Sequence, residues 1–97
     1  MRKISEVYVN GICLEEILEK HKKWLSGKDG GEKANLRFID LRFVDFEDTD
    51  LRFVDLRGAD LRFADLRDVD LRGANLSGTN LNNADLSYAD LSNAIKW

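Results

Sequence analysis

The chain has 97 residues, of which 43% are hydrophobic and 34% charged, and its net charge is -3. Those totals suit one foldable, soluble domain and exclude a disordered chain; the negative balance argues against direct nucleic-acid binding. Cys13 is the only cysteine, so no intrachain disulfide can form.

The first stretch, MRKISEVYVNGIC, lacks the apolar core of a secretion signal. No later stretch reaches the roughly 18 apolar residues of a membrane span. The expectation is a cytoplasmic protein that does not enter a membrane. Val7-Tyr8-Val9 followed by Asn10-Gly11 reads as a short strand and turn.

CLEEILEKHKKWLSG reads as a helix. Leu14, Ile17, Leu18, His21, Trp24 and Leu25 recur at spacings of three and four and share one face. Glu15, Glu16 and Glu19 come early and Lys20, Lys22 and Lys23 late, an order that suits the helix dipole. Gly27 is a natural stop, and Gly27-Lys28-Asp29-Gly30-Gly31 reads as a linker that closes a first region, residues 1–33.

Residues 34–94 repeat every five. One position holds Leu36, Leu41, Phe46, Leu51, Leu56, Leu61, Leu66, Leu71, Leu76, Leu81, Leu86 and Leu91. Two residues before each stands a small or β-branched residue, from Ala34 to Ala89, and Asp or Asn lies between them. On an α-helix a step of five advances each leucine by about 140° and smears the set over every face. On a flat strand an odd period sends alternate leucines to opposite faces. A backbone that turns a corner once per pentad solves both problems. The small residue and the leucine then point inward together, the acid or amide points outward, and the next two residues make the bend.

This pattern, approximately A-(D/N)-L-X-X over about twelve units, resembles the pentapeptide-repeat family. The stretch EILEKHKKWLSGKDGGEKANL is similar to the leader of small bacterial and phage members, where a helix bearing His and Trp-Leu precedes the first repeat. The resemblance implies an all-β solenoid: a right-handed quadrilateral β-helix with four pentads per coil, so about three coils here, with the N-terminal helix as its cap. Phe46 in place of leucine and Glu47-Asp48 in place of an Arg-Phe pair depart from the pattern, and residues 95–97 leave it.

A solenoid exposes an unpaired edge and an open core at each end. At the C-terminal end only Ile95 and Trp97 are at hand to cover it. Either Trp97 folds over the core or two molecules meet there as a homodimer, as some members of the family do.

With residues 20 apart stacked in columns, charge can be summed by face. Asp45, Glu47, Asp48, Asp65, Asp68 and Asp85 lie on one face against Arg67 alone, a net charge of -5, while the other three faces lie between -1 and +1. That face is a candidate docking surface for a basic protein partner; the plainer alternative is a solvated acidic surface. Phe38, Phe43, Phe53 and Phe63 follow arginines at the bend. They either form an aromatic–cationic patch or stack along their columns beneath the N-terminal segment.

No chemistry-bearing cluster emerges. One His and one Cys cannot assemble a zinc site, and Cys13 and His21 read as packing residues. Ser77, Ser87 and Ser92 have no histidine near them in sequence. The nine-residue Gly-rich repeat of calcium β-rolls is missing. The expectation is no catalytic residue, no metal and no cofactor. The function class that fits is a protein-binding or scaffold module whose partner is unidentified. The family resemblance supplies an alternative, a DNA-mimicking inhibitor of DNA gyrase or another topoisomerase, because members linked to quinolone resistance act on gyrase. A short rod interrupted by seven arginines suits that role poorly.

Overall fold

The computed structural model describes residues 1–96. The N-terminal region comprises β1 (Arg2–Lys3), a 3-10 turn (Ile4–Glu6), β2 (Tyr8–Val9), β3 (Ile12–Cys13) and helix α1 (Leu14–Leu25). β2 and β3 form an antiparallel hairpin, with Tyr8 opposite Cys13 and Val9 opposite Ile12. Asn10 and Gly11 both have positive φ (52° and 83°), the pairing that a tight hairpin of matching twist demands. The hairpin also caps α1, because the Leu14 N–H donates to the Val7 carbonyl at 2.7 Å. At the other end the Gly27 N–H donates to Trp24 O and the Lys28 N–H to Lys23 O. With Gly27 at φ +69°, this is the glycine stop that the sequence signalled. The linker then runs back beneath the helix so closely that a Cβ on Gly31 would meet the Lys23 and Trp24 backbone.

From Asn35 onward the backbone lies alongside itself every 20 residues. Parallel bridges join Asn35 to Asp55, Asp40 to Asp60, Asp45 to Asp65 and Asp50 to Asp70, and the same columns continue to Asn75, Asn80, Asp85 and Asp90. In each column the N–H of the inward leucine, or of Phe46, donates to the carbonyl of the Asp or Asn in the next turn, as Leu36 to Asp55 and Leu61 to Asn80, both at 2.8 Å. Every pentad bends at a β-turn, closed for example by the Ala59 N–H on Leu56 O at 3.0 Å. The second central residue of each turn has positive φ and the first does not, which is the type II arrangement.

That turn position explains much of the variation between repeats. A side chain there costs about 1–2 kcal/mol, and Gly58, Gly73, Gly78, Asn83 and Asn93 meet the demand at low cost. Phe38, Phe43, Phe53 and Phe63 do not, and their rings are used along the columns. Phe43 and Phe63 stack at 5.0 Å and 5°, Phe38 lies over Gly58 and Phe53 over Gly73, and Trp24 meets Phe53 edge-on. The expected cover of N-terminal chain is largely missing, and Phe38 stays 79% exposed. The reason is that the first residues are engaged elsewhere. β1 pairs in parallel with β4 (Val44–Asp45), and the Arg2 side chain donates to the Asp40 and Arg42 carbonyls, closing the first edge of the coil.

The core is one continuous apolar cluster. Leu36, Leu41, Phe46, Leu51, Leu56, Leu61, Leu66, Leu71 and Leu76 are fully buried, and Val7, Val9, Leu14 and Leu18 join them from the N-terminal region. Trp24, expected on the buried face of α1, is 39% exposed; it lies across the flank of the core, stacked on His21 at 5.6 Å. Thr79 occupies an inward position, and its hydroxyl reaches Leu56 O at 2.6 Å, which removes the cost of a bare polar group there. Leu81, Leu86 and Leu91 are only half-buried, since the final turn has a neighbour on one side. β6 (Ile95–Lys96) pairs with β5 (Asn75–Leu76) and leaves Ile95 57% exposed. Trp97 lies outside the described residues.

Candidate functional site

The outward acids form a repeated local device. In each D-L-R unit the carboxylate accepts the backbone N–H two residues on, and the arginine at that position turns its guanidinium back onto the same carboxylate. Arg42 clamps Asp40 at 2.8–2.9 Å, Arg57 clamps Asp55 at 2.7–2.9 Å, and Arg62 closes on Asp60 in the same way. Several arginines also approach the acid of the neighbouring turn, as Arg52 does Asp70 at 3.8 Å. The columns therefore carry alternating charge instead of stacked like charges. The guanidinium hydrogen bond holds Asp40, Asp50, Asp55, Asp60 and Asp70 below the ordinary carboxylate range. Because the arginines are exposed, each pair stabilises the fold only modestly.

The column of Asp45, Asp65 and Asp85 departs from this scheme. Glu47 and Ser87 stand where two of its arginines would be. Arg67 is left to serve both Asp65 (Nη2 to Oδ2, 2.6 Å) and Glu47 (Nη2 to Oε2, 2.8 Å). Its guanidinium lowers the Asp65 pKa, and Asp65 is only 9% exposed. Asp45, Asp48, Asp68 and Asp85 enter no ion pair with the described residues. Asp85 is held low by the Ser87 hydroxyl (2.6 Å) and backbone N–H, while Asp48 and Asp68 occupy the strained turn position at φ 62° and 58°. Of the six acids grouped by sequence, the structure thus ties two to Arg67 and leaves four open. A groove of about 600 Å³ adjoins one of the four, Asp48, between α1 and the corner at Asp48–Asp50; Ile4 and Leu18 contribute apolar surface to it, and Glu15, Glu19 and Lys22 contribute charge.

Asp45, Glu47 and Asp65 bring one carboxylate oxygen each within 4.8 Å of one another, close enough for a cation. Arg67 supplies that positive charge from within the chain. The Arg67→Ser variant is expected to lose thermal stability and to regain several degrees of Tm on adding Ca²⁺. Thermal denaturation with and without the ion tests this, and an equal Ca²⁺ response in the unaltered protein would contradict it.

Cys13 and His21 do not form a nucleophile and base. The thiol faces the Ile4 and Ser5 carbonyls at 3.7 and 3.6 Å, and both nitrogens of His21 are committed. Nδ1 accepts the Ala34 N–H at 2.9 Å, so Nε2 carries the hydrogen and donates it to Arg52 O at 2.8 Å. The sequence placed His21 on the packing face but gave no sign of these two bonds, because Arg52 is 31 residues away in the chain. The arginine clamps show in the sequence as D-L-R spacing, but that the guanidinium turns back onto the acid two residues before it is a matter of side-chain geometry.

The family model for pentapeptide repeats matches residues 34–73 and 64–95, with eight copies. A solved pentapeptide repeat protein from the thylakoid lumen of Arabidopsis thaliana is 33% identical over 65% of this chain and 44% of its own, with a TM-score of 0.63. A pentapeptide repeat protein from the cyanobacterium Cyanothece 51142 is 30% identical over 69% of this chain and 50% of its own, with a TM-score of 0.49. The chain therefore spans about half the length of these relatives, and the likeness of fold rests on the first. No curated protein matches the chain.

Proposed function

The chain belongs to the pentapeptide-repeat family, and from that premise we propose that it is a non-enzymatic, cytoplasmic binding module whose acidic face receives a basic protein segment. We take the coil to be a right-handed, four-sided β-helix of about three turns, as the family resemblance implies. One observation carries the functional reading: on the other three columns every acid but Asp90 is clamped by its own arginine, and Asp90 lies 3.9 Å from Arg72, whereas Asp45, Asp48, Asp68 and Asp85, on the Asp45–Asp65–Asp85 face, enter no ion pair among the described residues. Such a rigid, one-sided field steers a cationic partner and orients it. The groove beside Asp48 supplies apolar surface, from Ile4 and Leu18, for the aliphatic stem of a lysine or arginine.

The test is affinity capture with the unaltered chain and with Asp45, Asp48, Asp68 and Asp85 all changed to Asn. A basic protein retained by the former, lost from the latter and released by salt supports the reading; identical capture by both rejects it. A homodimer through Ile95 and the half-buried Leu81, Leu86 and Leu91 is part of the same proposal. Light scattering should find a dimer that Ile95→Lys converts to monomer, and a monomer in both cases removes it. The gyrase-inhibitor alternative needs a continuous phosphate-like surface, which the arginine clamps interrupt; inhibition of supercoiling by this chain would revive it.

A further inference from the structure

His21 is the only histidine, is wholly buried, and sits at the seam between the N-terminal cap and the coil. Its ring ties three elements: α1, on which it stands, the end of the linker through Ala34, and the coil through Arg52. The Ala34 bond exists only for the neutral ring, because Nδ1 must present a lone pair. A proton on Nδ1 replaces that acceptor with a second donor facing the Ala34 N–H, so two hydrogens are forced together between nitrogens 2.9 Å apart. Burial outweighs what favours the cation at the seam, the Arg52 carbonyl on Nε2 and the charge of Asp50. Lys33 on the linker and Arg52 on the coil oppose a positive ring, and Asp50, the facing acid, is already clamped by Arg52 at 2.7 Å.

We propose that His21 is an acid-operated latch: protonation of Nδ1 releases the cap, residues 1–33, from a coil that itself stays folded. Two features separate the cap from the coil. α1 has 12 residues, too few to persist in water without tertiary packing, so loss of its dock melts it. The coil instead relies on backbone pairing and on carboxylates that remain ionised in the same range. Burial lowers the His21 pKa from 6.5, so its contribution is complete above 6.5 and declines as pH falls toward the folded value. The clamped aspartates also have lowered values, from 3.8; their contribution persists until pH falls below that. Between the two windows the cap opens alone. Release uncovers the first edge of the coil at Val44–Asp45, now covered by β1, together with the apolar surface that Leu14 and Leu18 cover.

Amide hydrogen exchange on the full chain between pH 7.5 and 5, corrected for intrinsic rates, tests the latch. Protection of α1 amides should fall by up to roughly tenfold per pH unit below 6.5, as one-proton linkage requires, while the amides of Leu56, Leu61 and Leu66 keep theirs. His21→Gln, which does not titrate, should abolish the pH dependence in α1. Equal losses in cap and coil, or unchanged α1 protection after NMR shows His21 protonated, would overturn the proposal. Should His21→Gln fail to fold, those two measurements on the unaltered chain still decide it.

Discussion

Leu56→Asp is expected to abolish the folded state. Leu56 is fully buried midway along the coil, with Leu36 and Leu76 at the same position one turn to either side. Removing its side chain forfeits about 2–3 kcal/mol of burial, and an unpaired carboxylate on the axis costs several kcal/mol more. The total rivals the roughly 5–15 kcal/mol that holds a small domain together. Among the described residues no lysine or arginine is buried in the core to rescue it, since every clamp arginine stands outside. Circular dichroism and thermal melting check the outcome, with Phe38→Asp as the control. Phe38 is exposed in the strained turn position, where Asp48 and Asp68 already sit, so that change is expected to alter stability by only about 0.5 kcal/mol. A folded Leu56→Asp protein with an ordinary melting transition would refute the dry leucine axis.

Phe46→Ala ranks second. Phe46 is the largest fully buried side chain and stands where every other repeat has leucine. Truncation leaves a void that a coil pinned by bonds above and below cannot collapse, so a loss of about 3–5 kcal/mol is expected. In a domain of this size that lowers Tm by roughly 15–30 °C. Phe46→Leu restores the family residue and should cost only about 1–2 kcal/mol. Equal melting temperatures for the two variants would mean that the layer around Phe46 is loosely packed.

The five-residue period made the coil readable, because only a regular corner collects leucines five apart on one axis. The hairpin at Asn10-Gly11, the helix and its stop at Gly27 were likewise written locally, in turn and cap residues. What escaped reading depends on partners distant in the chain. Nothing near Arg2 announces that β1 will pair with Val44 and Asp45. Nothing near His21 announces Arg52. The acidic face was legible as a sum of charges but not as a pattern of occupancy. Asp65 and Glu47 count toward the sum, yet Arg67 holds both. The four acids that remain follow from side-chain geometry, since Arg67 reaches Glu47 across one full turn of the coil.

The central functional claim is that the unclamped carboxylates, not the acidic composition at large, attract a partner. An NMR titration of the ¹⁵N-labelled chain with a short lysine-rich peptide tests it most directly. Shifts confined to the amides around Asp45–Asp48, Asp68 and Asp85, and suppressed by salt, are the expected result. Shifts of equal size at the clamped pairs Asp40–Arg42, Asp60–Arg62 and Asp70–Arg72 would contradict it.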